Sequence, residues 1–257
     1  MAPPSPLRLL ILGGTTEASH LARLLADAPG VSPVLSLAGR TKSPVLPPIA
    51  HRIGGFGGVE GLAHYLGEER VELLVDATHP FAARITPNAA EAARIAGVPL
   101  LRLERPGWMA GPGDDWRMVS SMKAAAGALG TAPRRVFLTI GRQDLIPFRD
   151  EAPQHDYLIR SVDAPDPVLL PPRTRILTAR GPFGEAAERA LLAENRIEML
   201  VTKNSGGSDA KLRAARGLGL PVIMVDRPPA LPGERVETAE AAMAWITHHG
   251  AVTERGA

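Results

Sequence analysis

The stretch LRLLILGGTTEA, residues 7–18, places an apolar run directly before a pair of glycines and the start of a helix. A strand, a glycine turn and a helix in this order are typical of the opening of a doubly wound nucleotide-binding domain. Glycines let the backbone approach a ligand closely, and the N–H groups at the start of a helix favour an anion such as phosphate. Because the spacing is not Gly-x-Gly-x-x-Gly, an ordinary turn capped by threonine stays an alternative. The predicted cofactor-binding residues here are Gly13, Gly14, Thr15, Thr16 and Glu17.

Strand and helix patterns alternate along the first half of the chain, and the loops between them are short. This alternation predicts a parallel sheet covered by helices on both faces. The predicted strands of this half are Leu7–Leu12, Pro33–Ala38, His51–Ile53, Val71–Asp76 and Val98–Leu103. The predicted helices are Glu17–Ala28, Val59–Gly67, Phe81–Ala96 (with Pro87 as a kink or restart) and Ser120–Gly130.

A second α/β series starts after Gly130, and it shows no sequence repeat of the first. Its predicted strands are Arg135–Ile140, Tyr157–Val162, Arg175–Ala179, Glu198–Thr202 and Pro221–Val225. We therefore predict two α/β domains, residues 1–130 and 131–257, since two similar lobes that meet at a cleft are a common enzyme architecture.

Composition narrows the class of protein. The 257 residues carry a net charge of only +2, which does not indicate a nucleic-acid partner, and they include no cysteine, which excludes disulfides and thiolate chemistry. The histidines have no metal-ligand spacing, so no metal site is predicted. The first residues lack the features of a signal peptide, and no apolar run approaches the roughly 20 residues of a membrane span. We expect a soluble cytoplasmic protein that binds no membrane and has no obligate protein partner.

Arg40 follows the second predicted strand, in the segment LAGRTK at residues 37–42. An acidic residue at this place usually binds the ribose 2′-hydroxyl of a dinucleotide, and no acid is present here. The arginine, with Thr41 and Lys42 beside it, suits a 2′-phosphate, so NADPH is predicted in preference to NADH. A solvated basic loop is the alternative.

The segment DATHPFA, residues 76–82, ends the fourth predicted strand. Ligands of doubly wound sheets bind at the carboxyl ends of the strands, so we place this segment in the same crevice as the first glycine turn. His79 is a candidate proton donor because the pKa of an unperturbed histidine is near neutrality. A helix cap followed by proline explains the same residues without a ligand. The predicted cofactor-binding residues are Thr78, His79 and Pro80.

Two strand ends in the second half carry similar features. The segment TIGRQ, residues 139–143, places Arg142 where a guanidinium fits a carboxylate or phosphate. The segment TKNSGGSDAK, residues 202–211, leaves a strand, turns on two glycines and enters a helix, which suits a pyrophosphate or a carboxylate. A polar connecting loop is the alternative. The predicted cofactor-binding residues of this loop are Lys203, Ser205, Gly206 and Gly207.

Four segments, LGGTTEA, DATHPFA, TIGR and TKNSGG followed by Lys211, resemble the precorrin-6A reductase family in order and spacing, and the resemblance covers essentially the whole chain. The resemblance implies two Rossmann-like lobes with parallel sheets and the cofactor in a cleft between them. It also implies the NADPH-dependent reduction of one carbon–carbon double bond of a corrin precursor, precorrin-6A to precorrin-6B, in cobalamin biosynthesis. The substrate of the family bears many carboxylates, which basic side chains at strand ends would offset, although these are equally explained as surface charges. The predicted substrate-binding residues are Arg102, Arg105, Arg142, Arg180 and Lys211.

Two other functions stay open at this point. Reductases and epimerases of the extended Rossmann type commonly use a Tyr-x-x-x-Lys pair, but Tyr65 is followed by Glu69 and Tyr157 by Ser161, so that pair is absent. A non-catalytic NADPH sensor would bind the dinucleotide without turning over a tetrapyrrole. The proton that accompanies hydride addition has two candidate sources, His79 and water.

Overall fold

The computed structural model describes residues 5–39 and 46–253, which form two compact units. Unit 1 contains the described residues up to Pro106 together with those from Pro228 onward, and unit 2 contains Gly107–Arg227. No helix in these described ranges is long and apolar enough to span a membrane.

The strands are short and alternate with helices throughout. In chain order the elements are β1 (Leu7–Leu12), α1 (Thr16–Ala26), β2 (Val31–Leu37), β3 (Ala50–Ile53), α2 (Val59–Glu68), β4 (Leu73–Asp76), α3 (Ile85–Ala96), β5 (Leu100–Leu103), β6 (Trp116–Val119), α4 (Met122–Ala128), β7 (Arg135–Thr139), α5 (Ile146–Glu151), β8 (Asp156–Ser161), β9 (Thr174–Thr178), α6 (Glu185–Glu194), β10 (Met199–Lys203), α7 (Ala210–Gly217), β11 (Val222–Val225), β12 (Glu234–Val236) and α8 (Ala239–Thr253).

Unit 1 is built on a parallel sheet with the strand order β3-β2-β1-β4-β5-β12. The central strand β1 is apolar except for Arg8, because helices cover the sheet on both faces. Leu9 and Ile11 pack on the side of α1 and α8, whereas Leu10 and Leu12 pack on the side of α2 and α3. The strand order reverses between β1 and β4, which is the switch point where doubly wound sheets bind ligands.

Unit 2 has a similar strand arrangement although the sequence shows no repeat, except that its edge strand β6 comes first in the unit, whereas the edge strand β12 of unit 1 comes last. Its parallel sheet has the order β9-β8-β7-β10-β11-β6, and the reversal falls between β7 and β10. Helices α6 and α7 cover one face through Leu192 and Leu212, which pack with Phe137 of β7 and Leu200 of β10. The predicted α/β class with two Rossmann-like lobes is therefore confirmed.

The predicted domain boundary at residue 130 differs from the division in the structure. Strand β6 and helix α4, assigned to the first domain from the sequence, belong to unit 2, where β6 pairs with β11. Strand β12 and helix α8, assigned to the second domain, belong to unit 1, where Ala242 and Ile246 join the core around Leu21. Because β6 and β12 are short strands whose partners are distant in the chain, local sequence patterns did not predict them.

Helix α3 begins later than the sequence pattern predicts. It starts at Ile85 instead of Phe81, so Pro87 lies in the first turn of the helix. A proline is accommodated there because the first N–H groups of a helix have no partner within the helix. No kink is therefore required to explain Pro87.

Gly13 is required by close packing between β1 and β2. A Cβ at this position would lie 2.6 Å from Cδ1 of Leu35 and 3.3 Å from Cδ2 of Leu37. Leu35 is a buried residue of the unit 1 core, so its side chain has little room to move away.

We expect Gly13→Ala to lower the free energy of unfolding by about 1–3 kcal/mol through overpacking. The matched control is Gly127→Ala in helix α4, where an added Cβ meets nothing within 4 Å. That change should stabilise the protein by about 0.5–1 kcal/mol. Urea-unfolding midpoints measure both effects, and a midpoint for Gly13→Ala equal to that of the wild type would contradict the packing argument.

Candidate functional site

The glycine turn after β1 is tied to the end of β4 by hydrogen bonds. Thr15 caps α1, its Oγ1 accepting from the N–H of Ala18 at 3.1 Å and donating to the carbonyl of Ala77 at 2.8 Å. The N–H of Ala77 donates in turn to the carbonyl of Leu12 at 2.9 Å. Gly14 has a φ of 129°, which only glycine adopts readily. These bonds fix the shape of the turn at the start of α1.

Glu17 does not cap its own helix. Its Oε2 lies 2.9 Å from Nη1 of Arg105, and the hydroxyl of Thr16 donates to the same oxygen at 3.1 Å. Arg105 therefore offsets a negative charge at the helix start where an anionic ligand is predicted to bind. Arg105 is thus joined to the first turn of α1, and its contact with substrate stays a prediction.

A buried charged network fixes the end of β4. Nη1 of Arg102 lies 2.8 Å from Oδ1 of Asp76, and its Nη2 lies 2.9 Å from Oε2 of Glu104. Thr78 donates to Asp76 Oδ1 through both its N–H, at 3.0 Å, and its hydroxyl, at 2.7 Å. The side chain of Arg102 is only 10% exposed, so its guanidinium holds the strand end together from inside unit 1. The contact between Arg102 and substrate stays a prediction. The burial of the Arg102 side chain favours a structural role.

His79 and Pro80 form the turn that follows this network. The Nδ1 of His79 accepts from the N–H of Phe81 at 3.1 Å, which assigns the proton of the neutral ring to Nε2. The carbonyl of His79 accepts from the N–H of Ala82 at 2.8 Å. The ring is thus oriented by its own turn, at the carboxyl end of β4.

In unit 2, basic side chains at the carboxyl ends of the strands are paired with acids that the sequence analysis did not single out. Nζ of Lys203 lies 2.6 Å from Oδ2 of Asp144, so this pair bridges the strand ends of β7 and β10. Arg142 lies 3.7 Å from Asp163, which follows β8. The signal for Asp144 and Asp163 was their position after predicted strands. Arg180 is exposed and follows β9.

The loop between β10 and α7 turns on Gly206 and Gly207, which have φ values of 67° and 81°. The indole N–H of Trp108 donates to the carbonyl of Gly207 at 3.0 Å, and Nζ of Lys211 lies 4.4 Å from the centre of the Trp108 ring. The N–H of Ser205 donates to the carbonyl of Lys203 at 2.7 Å. Lys211, predicted to bind substrate, thus packs on Trp108, which lies in a segment where the sequence predicted neither a strand nor a helix.

Other predicted site residues lie outside the described part of the chain. Arg40 and Thr41, with Lys42 beside them, fall in the segment 40–45, so their roles stay predictions. The residues within unit 1 gather at the carboxyl ends of β1, β4 and β5, and those within unit 2 at the ends of β7–β10. In the described ranges no group of His, Asp and Glu side chains has the arrangement of a metal site.

Replacing Arg102 by methionine tests the buried network. The change leaves Asp76, whose side chain is 2% exposed, without its cation, and we expect the free energy of unfolding to fall by about 3–5 kcal/mol. Arg94→Met is the control, since Arg94 is 71% exposed in its pair with Glu91, and its loss should stay below about 1 kcal/mol. Denaturant unfolding measures the free energy of unfolding of both variants. An equal decrease in the two variants would contradict a stabilising role for the buried Arg102 network.

Comparison with known proteins gives consistent matches along both units. The family model "Precorrin-6x reductase CbiJ/CobK" matches residues 8–247. A precorrin-6A reductase of Rhodococcus erythropolis is 52% identical over 251 residues, which are 96% of this chain and 99% of that protein. A precorrin-6A reductase of Sinorhizobium sp. is also 52% identical, over 94% of this chain and 93% of that protein. A solved structure titled "CobK precorrin-6A reductase" superposes with a TM-score of 0.89 and 51% identity, over 95% of this chain and 97% of that one.

Proposed function

Because this chain belongs to the precorrin-6x reductase family, we propose that it is an oxidoreductase that reduces precorrin-6A to precorrin-6B in cobalamin biosynthesis, with NADPH as the reductant. The observation that carries the proposal is a likeness to named precorrin-6A reductases that runs through both units. If these proteins shared only a nucleotide-binding unit with this chain, the likeness would indicate the class of cofactor alone. Because the likeness covers both units, it also includes the regions that would bind the substrate.

The unit 1 site fits a dinucleotide. Gly14 needs a positive φ, and a Cβ there would meet nothing within 4 Å, so the turn leaves room for a ligand at the start of α1. The first N–H groups of α1 and its dipole suit a pyrophosphate, as in other sheets of this topology. We assign Gly13, Gly14, Thr15 and Thr16 to the phosphates, and Arg40 with Thr41 to the 2′-phosphate that distinguishes NADPH from NADH.

When bound, the nicotinamide supplies a hydride to one carbon of the reduced double bond, and a proton must reach the other carbon. The role of the protein is to position NADPH and the substrate relative to each other and to exclude competing reactions. His79 is our candidate for the proton source, because a protonated imidazole is a common general acid and this ring lies in the turn at the carboxyl end of β4. Water is the other candidate, and an unchanged turnover number in His79→Asn would select it.

Basic side chains at the strand ends suit a substrate with many carboxylates. Arg142, Arg180 and Lys211 lie on unit 2 at or near the carboxyl ends of its strands. Guanidinium groups bind carboxylates in a bidentate manner. We therefore propose that these three residues, more than the buried Arg102, contact the substrate.

The experiment that tests the function is an incubation of the purified protein with precorrin-6A and NADPH, followed by absorbance and mass spectrometry. We expect a product with two more hydrogen atoms than precorrin-6A. Tight NADPH binding without turnover would instead indicate a non-catalytic sensor, and reduction of unrelated carbonyl or alkene substrates only would indicate another Rossmann reductase.

Arg40→Ala tests the cofactor assignment. Loss of a guanidinium that binds the 2′-phosphate should raise the KM for NADPH by roughly tenfold or more, since charge-assisted hydrogen bonds contribute about 1.5–3 kcal/mol each. The KM for NADH, which lacks that phosphate, should change little. Steady-state kinetics with both dinucleotides measure the difference, and equal effects on the two would remove the role of Arg40.

A further inference from the structure

Asn204 occupies a special place in unit 2, in the loop directly after β10. Its side-chain amide is buried and makes two hydrogen bonds to the backbone of Trp108. The N–H of Trp108 donates to Oδ1 at 2.7 Å, and Nδ2 donates to the carbonyl of Trp108 at 3.1 Å. One amide thus pairs with both polar backbone groups of a residue 96 positions earlier in the chain.

The backbone of Asn204 holds a second segment. Its N–H donates to the carbonyl of Val225 at 2.9 Å, and its carbonyl accepts from Nε of Arg227 at 2.8 Å. The chain enters unit 2 at Gly107 and leaves it at Arg227. Asn204 is therefore bonded to both segments through which the chain enters and leaves this unit.

Packing around this amide is close. A Cβ on Gly107 would lie 3.1 Å from Oδ1 and 3.3 Å from Nδ2 of Asn204. The ring of Trp108 contacts the other end of the same loop, where its N–H donates to the carbonyl of Gly207. The ammonium of Lys211, in α7, also lies against this ring. Trp108 and the loop 204–208 therefore form one packed structure, which we call the Trp108 clamp.

An amide meets the hydrogen-bonding demand at residue 204 at every pH. Trp108 presents one donor and one acceptor, and an amide offers the complementary pair on adjacent atoms. An ionised carboxylate has two acceptors, so it would leave the carbonyl of Trp108 facing an oxygen, and an apolar side chain would leave both groups unpaired. The choice of asparagine is thus explained by Trp108, without a direct contact to a ligand.

We propose that Asn204 is a positioning residue for the reductase reaction, acting through the Trp108 clamp. It fixes the loop that carries Lys203, Ser205, Gly206 and Gly207, and it joins this loop to the two segments at the entrance and exit of unit 2. The inference rests on the proposed function in one respect, namely that this loop binds NADPH. A ligand held by the loop then depends on a hydrogen bond that it does not itself touch.

Asn204→Asp is the decisive variant because its side chain has the shape of the native one and its donor depends on pH. At about pH 8 the carboxylate is ionised and cannot donate to the carbonyl of Trp108. When protonated, the acid offers one O–H donor and one acceptor, as the amide does. We expect the dissociation constant for NADPH to rise roughly tenfold at about pH 8 and to return toward the wild-type value as the pH falls to about 5.

The readout is a titration of the protein with NADPH by calorimetry, which requires no turnover. Failure of the wild-type protein to reduce precorrin-6A would count against the proposed function, whereas the titration tests Asn204 separately. In kinetics the KM for NADPH should rise more than the turnover number falls. A purely structural part would lower the unfolding midpoint and leave the dissociation constant of the folded protein unchanged at every pH.

Asn195→Asp is the matched control. Asn195 also uses both ends of its amide, with Nδ2 donating to the carbonyl of Leu191 and Oδ1 accepting from Arg175, but it lies at the end of α6. Its substitution should leave NADPH binding unchanged at both pH values. A dissociation constant for Asn204→Asp that stays at the wild-type value, or that rises equally in the control, would overturn the proposal.

If Asn204→Asp does not fold, Trp108→Phe replaces it in the same titration. This variant keeps an aromatic ring and removes the indole N–H that donates to Gly207. We expect a several-fold weaker affinity for NADPH, independent of pH, because the lost donor does not titrate. An unchanged affinity in the folded Trp108→Phe variant would overturn the proposal.

Discussion

The reversal of strand order beside β1 is the constraint on which the site in unit 1 depends. Because β1 lies between β2 and β4, the helices that follow β1 and β4 pack on opposite faces of the sheet, an arrangement that in doubly wound sheets forms a crevice at the strand ends. The hydrogen bonds from Thr15 to Ala77 and from Ala77 to Leu12 join the chain segments that follow β1 and β4 at this crevice. In unit 2 the strand order reverses between β7 and β10, and there Lys203 and Asp144 form an ion pair between the two strand ends.

The arginines show that one residue type has different surroundings at different strand ends. Arg102 is buried with two carboxylates and stabilises the end of β4. Arg105 offsets the charge of Glu17 at the start of α1. Arg180 is exposed after β9, which suits a contact with an acidic ligand. Position at a strand end therefore does not by itself assign an arginine to substrate, because these arginines differ in burial and in partners.

Local sequence patterns predicted every strand of the described residues except β6 and β12, together with the turns that follow the predicted strands. The bounds of β1 were predicted correctly because six mostly apolar residues are followed by two glycines and a helix cap. The division into units was not predictable in this way, since β6 and β12 take their places through partners about a hundred residues away or more. The Trp108 clamp was not predictable for the same reason, because its parts are distant in the sequence. The motif containing Asn204 was evident in the sequence, but the backbone that its amide binds lies far upstream.

The function proposed for this chain is the transfer of a hydride from NADPH to precorrin-6A. Its most direct test uses NADPH that carries deuterium at C4 of the nicotinamide, prepared in each of the two stereochemical forms. Mass spectrometry of the reduced tetrapyrrole should find the deuterium with one form and not with the other, since an enzyme holds the ring in a single orientation. An unlabelled product from both forms, or no reduction of precorrin-6A with either, would contradict the account.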